Sequence, residues 1–182
     1  MECPTKLFYT GKDNEYKNTK GDDEFLESLA EGGYQVGKMA MLLYPHGVEI
    51  RAKSNQASLS ETSTLLQSHD SIVLFEPAFE FEGLLVRVDI FVKNENSIEL
   101  IEVKAKSYDS ENPDIEGSRT PIKSEILPYI EDAAFQKYVV SNALPKCSIN
   151  TFLMMPDKSK TATTDGLNPV SYTHLRAHET PC

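Results

Sequence analysis

The chain predicts an α/β domain in the element order helix, three strands, helix, strand. Three observations carry that expectation: amphipathic helical spacing early in the chain, a stretch from Ser71 to Ala105 rich in β-branched and apolar residues, and helical spacing again before a last apolar run. Asp22-Asp23-Glu24 places acids at the positive end of a first helix, which Gly32-Gly33 should stop, and Tyr34 to Tyr44 reads as a second helix ended by Pro45. Ser58-Leu59-Ser60-Glu61 has capping-box spacing and opens a short helix through about Gln67. Ser71 to Phe81 reads as one strand, with Phe75, Phe79 and Phe81 as core aromatics. Leu84 to Val92 and Ile98 to Ala105 are the next two strands, joined by the turn cluster Asn94-Glu95-Asn96. A polar stretch from Ser107 to Ser124 follows, a long loop of the kind that gates substrate or is simply disordered. Ile126 to Leu144 is then helical and Ile149 to Met155 a final strand.

The chemistry concentrates in the hairpin. Period-two alternation puts Glu102 and Lys104 on one strand face, and on the preceding strand it groups Arg87, Asp89 and Phe91 opposite Val86, Val88 and Ile90. Asp89 interrupts a strand that otherwise looks buried, and a carboxylate removed from water must be paired, protonated or bound to metal. Two hard carboxylates converging on one point suit Mg²⁺ or Mn²⁺, and a neighbouring lysine can hold or help deprotonate the attacking water and offset phosphate charge. Ordinary ion pairs of Asp89 or Glu102 with Lys104 or Arg87 on a solvated face are the alternative, because such spacings arise often by chance.

Taken as an ordered set, Glu76-Pro77-Ala78-Phe79, Val88-Asp89-Ile90, Ile101-Glu102-Val103-Lys104 and Asp132-Ala133-Ala134-Phe135-Gln136 resemble the motifs of the PD-(D/E)XK nuclease superfamily in its RecB-like branch. Cys3 to Tyr9, Gly32 to Gly37 and Thr163 to Asn168 look like the bacterial family whose nuclease module precedes domain of unknown function 2779. The resemblance implies a restriction-endonuclease-like αβββαβ core, a mixed central sheet flanked by helices, over residues 1–168, and a DNA nuclease dependent on Mg²⁺ or Mn²⁺. It implies that Asp89 and Glu102 bind the metal, with the Val103 carbonyl as a further ligand, that Lys104 is the catalytic lysine, and that Gln136 contacts the site from a helix. The branch often carries a tyrosine four positions after that glutamine; Val140 stands there instead, and Tyr138 points elsewhere at helical spacing. It also carries a histidine shortly after a glycine, whereas Gly37 is followed by Lys38-Met39-Ala40-Met41, and His46 lies beyond Pro45. Glu76 is the candidate replacement ligand, in competition with Glu80 and Glu82. The missing histidine leaves a second reading open, a catalytically degenerate nuclease-fold module that binds nucleic acid or serves as a scaffold.

Composition sets the outer bounds. At 182 residues and 40% apolar content the chain suits one domain with a core. No segment approaches the roughly 20 apolar residues that cross a bilayer. Residues 1–20 have no signal-type apolar run, and Cys3, Cys147 and Cys182 are far apart, so a reducing cytoplasm is the expected setting and no membrane partner is expected. The cysteines offer neither a zinc knuckle nor an iron–sulfur cluster set. A net charge of −10 gives no broad footprint for DNA, so binding would need a local groove. Lys53, Arg87, Lys93, Lys104, Lys106, Arg119 and Lys123 flank the site in sequence. Residues 169–182, from PVSYTHLRAHET onward, read as a translated sequencing adapter, which removes His174 and His178 from any metal hypothesis. The expectation is therefore a fragment, with a further C-terminal domain in the natural protein.

Overall fold

The computed structural model describes residues 24–111 and 122–161, together with Lys12 and Glu15; in the first helix side chains are described from Glu31 onward. The Cys3 to Tyr9 and Thr163 to Asn168 motifs, the Asp22-Asp23 helix start, Arg119, most of the polar stretch and the adapter-like tail lie outside the described residues.

The molecule is mixed α/β. Helix α1 (Glu24–Met41) leads to strand β1 (Val48–Glu49), helix α2 (Asn55–Ser68), and strands β2 (Ser71–Phe75), β3 (Ala78–Phe81), β4 (Leu84–Arg87), β5 (Ile90–Asn94) and β6 (Ser97–Val103). Helix α3 (Leu127–Ala143) and strand β7 (Ser148–Met154) follow. The main sheet has the order β1-β2-β5-β6-β7, and β3-β4 forms a separate two-stranded hairpin. β2, β5 and β6 pair antiparallel in sequence, whereas β1 lies parallel to β2, and β7 parallel to β6. The β6-to-β7 connection runs through α3, as a parallel crossover requires.

Both faces of this mixed sheet are covered. Leu74, Phe91, Ile98 and Leu100 pack with Val139 and Val140 of α3, and Phe75, Ile90 and Ile101 pack with Ala40 of α1. Burial on both faces explains the apolar runs at residues 72–75 of β2 and 90–92 of β5, whereas β6 alternates with exposed Ser97 and Glu99. The β5–β6 hairpin closes through Glu95-Asn96, with Glu95 at φ 55° and Asn94 paired to Ser97, so the register of every residue toward the site follows from a two-residue loop.

Four expectations are corrected. Gly32-Gly33 does not stop a helix: α1 runs unbroken to Met41, because glycine weakens a helix without breaking its hydrogen bonds and the Ala40–Met41 end is held by packing. The helix expected at Ser58 begins at Asn55, where Ser54 is the N-cap and its Oγ accepts the Ala57 N–H at 3.2 Å. Ser58 is instead fully buried, bonded to the Ala52 and Ser54 carbonyls and to Arg87. The single strand expected from Ser71 to Phe81 is two, broken where Glu76 takes φ 57° and Pro77 lacks a ladder donor. The strand expected from Leu84 to Val92 also breaks, at Val88-Asp89, so Val86 and Val88 share a core with Phe91 and the expected grouping of Arg87 with Asp89 and Phe91 is lost. The two breaks are stitched together: Glu76 N–H donates to Asp89 O at 3.2 Å and Val88 N–H to Pro77 O at 3.1 Å. Among the described residues no helix is long and apolar enough to cross a membrane.

Candidate functional site

Asp89 stands one residue before β5, and Ile90 pairs with Ile101, so the next register position on β6 is Glu102. The two carboxylates therefore occupy neighbouring places at one end of the sheet. Asp89 Oδ2 accepts the Val103 N–H at 2.7 Å, which ties the side chain to the β6 backbone just beyond the last ladder pair. Burial, followed by the negative charge of Glu102, pushes the Asp89 carboxyl up to about 6 against the pull of the Val103 hydrogen bond.

Glu102 is only 8% exposed, and both of its oxygens are engaged. Lys104 Nζ lies 2.7 Å from Oε1, and Gln136 Nε2, also in an 8%-exposed residue, donates to Oε2 at 2.6 Å. Lys104 also reaches Asp132 Oδ2 at 3.1 Å and sits 5.2 Å from the centre of the Tyr129 ring. Burial lowers the Lys104 pKa, but its hydrogen bonds to Glu102 and Asp132 outweigh this and the net shift is upward, so the ammonium is charged at neutral pH. Gln136 Oε1 is buried without a hydrogen-bond partner, an unsatisfied acceptor beside Glu102.

Glu76 joins from the β2–β3 break. It lines a cavity of about 280 Å³ with Asp89, Val103, Glu49 and the α1 residues Gly33, Tyr34, Gly37 and Lys38. Burial raises its pKa, Arg87 and Lys38 oppose this, and Glu102 and Glu49 add to it. Of the competitors, Glu80 is exposed on β3 and Glu82 is exposed at the β3–β4 turn, neither lining this cavity. His46 is exposed in the loop before β1.

Asp89, Glu102, Lys104, Gln136, Val103 and Glu76 are thus brought to one end of the sheet. Val140 is fully buried in the core and Tyr138 is half exposed against Phe81, so neither faces the site. Of the described basic residues that flank the site in sequence, three are engaged separately: Lys93 donates to the Leu66 and His69 carbonyls at the end of α2, Arg87 is tied to Ser58, and Lys106 pairs with Glu125.

Sequence reasoning assigned no role to Asp132 or Tyr129. The signal was present, since Asp132 lies four residues before Gln136 and Tyr129 three before Asp132, on one helical face. Glu49 and Lys38 were also missed, and their meeting depends on how α1 docks on the sheet.

Asp89 and Glu76 are oxygen donors of the type that hard divalent cations take. Asp89 and Glu76 offer oxygens in one cavity with their acidities weakened by burial and by Glu102, a field that a cation relieves. Among the described residues, however, no group of three His, Cys, Asp or Glu side chains converges closely enough to hold an ion, and both Glu102 oxygens are engaged by Lys104 and Gln136. Comparison with protein-family models, curated proteins and solved structures finds no match to this chain.

Proposed function

We propose that the chain is a restriction-endonuclease-like, RecB-like nuclease module that hydrolyses DNA phosphodiester bonds with Mg²⁺ or Mn²⁺. The observation that carries this reading is the adjacency of Asp89 and Glu102 at the sheet end, with Lys104 and Gln136 bonded to Glu102. With β1, α2 and the β3–β4 hairpin set aside as additions, the order α1, β2, β5, β6, α3, β7, with antiparallel strands and a parallel last strand, supports the fold assignment. Asp89 and Glu76 would supply carboxylate oxygens with the Val103 carbonyl, and Glu102 would join them on release of an oxygen from Lys104 or Gln136. A bound divalent ion contributes Lewis acidity and a lowered water pKa. Lys104, held charged by Glu102 and Asp132, offsets the negative charge that builds on a phosphate rather than acting as a base. Gln136 orients Glu102 through Nε2.

The engaged oxygens of Glu102, together with the missing histidine after Gly37, favour a second reading, a degenerate module that binds nucleic acid or scaffolds a larger protein without cutting. Mn²⁺-dependent digestion of single- and double-stranded DNA by the wild type, Asp89→Ala and Lys104→Gln decides between them. The nuclease reading expects cutting by the wild type and loss of at least about a hundredfold in each variant, a deficit typical for removal of a charge-stabilising group. Equal digestion by all three removes the roles assigned, and no digestion by any selects the second reading.

A further inference from the structure

The cavity beside Asp89 has a second wall, formed by Tyr34 and Lys38 of α1 and Glu49 of β1. Lys38 Nζ donates to Glu49 Oε1 at 2.7 Å, and Arg51 Nε donates to Glu49 Oε2 at 3.0 Å. Two cations share one carboxylate, so this trio keeps a positive charge in a chain whose net charge is −10. An ammonium has three N–H donors. Lys38 spends one on Glu49, lies 5.4 Å from the centre of the Tyr34 ring, and makes no other hydrogen bond among the described residues. Its charge is felt by Glu76 across the cavity, so cationic wall and carboxylate floor act on the same small volume. At about 280 Å³ the cavity is at the small end for a ligand site, suited to one nucleotide unit rather than a duplex segment.

We infer that Lys38, oriented by Glu49 and assisted by Arg51, is the phosphate contact of this cavity, holding a backbone phosphodiester of single-stranded DNA on the wall opposite Asp89 and Glu76, whose negative charge a divalent cation would offset. The inference rests on the nuclease reading and adds to it the group that positions the substrate. Lys38 is a positioning residue: it supplies binding energy and aim, and the chemistry stays with the carboxylates and Lys104. Glu49 keeps the ammonium over the cavity, and Arg51 leaves the trio cationic after that pairing.

The test is binding of a fluorescein-labelled single-stranded oligonucleotide to the whole chain, with Ca²⁺ replacing Mn²⁺ so that the strand is held uncut. Lys38→Gln is expected to weaken binding about tenfold, the loss of one charge-assisted contact. It is also expected to reduce the salt slope by about 0.7, the share of one phosphate on a single strand. Lys38→Arg is expected to restore most of both, which a merely structural role of the side chain would not require. Gln preserves the stem against Tyr34, and circular dichroism checks that each variant is folded. Unchanged affinity and salt slope in Lys38→Gln overturn the inference, and if the wild type still cuts DNA the nuclease reading survives that result. Salt-dependent binding through Lys38 without any cutting by the wild type leaves the phosphate contact standing and removes the nuclease. No binding by the wild type removes both.

Discussion

Asp89 carries the sharpest consequence of burying a carboxylate next to another. Its folded value of about 6 lies above the ordinary 3.8, so between those limits the folded state holds more protons than the unfolded one. Stability attributable to Asp89 is therefore highest at acid pH and is lost as pH rises through about 4 to 6. Asp89→Asn is expected to be more stable than the wild type by about 1–3 kcal/mol at pH 7.5, with the difference vanishing near pH 4. Urea denaturation at both pH values measures this, and a destabilised Asn variant at pH 7.5 would contradict it. Saturating Mn²⁺ should reverse the order at pH 7.5, because only the carboxylate gains from a cation bound to the folded state. Lys104 behaves oppositely. Its removal leaves Glu102 buried and without its ammonium, so Lys104→Met is expected to cost about 2–4 kcal/mol, much of it recovered in the Glu102→Gln, Lys104→Met double variant.

The two glycine positions that matter for the elements act in opposite directions. Gly32 lies inside α1 with nothing within 4 Å of where a Cβ would stand, so Gly32→Ala is expected to add about 0.5–1 kcal/mol by raising helix propensity. Gly47 precedes β1, and a Cβ there would collide with the Phe75 ring. Gly47→Ala is expected to cost about 1–3 kcal/mol, because Phe75 is packed beneath α1 and cannot retreat. Thermal melts of the two variants should move apart, and a Gly47→Ala melt equal to wild type would show that the ring has room to turn. The strand breaks have their own logic. Pro77 ends β2, the chain turns aside into the β3–β4 hairpin, and Thr62 Oγ1 on α2 accepts the Ala78 N–H at 3.0 Å, so the interruption is satisfied rather than frayed. That detour sets Glu76 and Asp89 together at the sheet end.

Across the whole molecule, the segments on either side of the polar stretch are held at their bases. Lys106 pairs with Glu125 at 3.0 Å, and Asp157 accepts from the backbone N–H and hydroxyl of both Ser110 and Ser159. Those hydrogen bonds, the Ser110 hydroxyl foremost, hold the Asp157 carboxyl well below the usual carboxylate range. Asp157→Ala is expected to speed amide hydrogen exchange at residues 108–111 and 157–160 while leaving exchange in β5 and β6 unaltered; protection unchanged at both places would remove the clasp. An early helix, an antiparallel strand region, a later helix and a last strand were legible in the chain, as was the placing of Asp89 and Glu102 on adjacent strands. Alternation carries register outward from the Asn94-Glu95-Asn96 turn, whereas Gln136 was singled out by the family resemblance and not by its spacing. Local patterns are silent on contacts made between distant segments. The bends at Glu76-Pro77 and Val88-Asp89, the continuity of α1 through its glycines, the Lys38–Glu49 pair and the Asp157 clasp were decided only when helices docked on the sheet. In each of them packing or a long-range hydrogen bond overrode the preference of neighbouring residues, and that energy has no signature in sequence spacing.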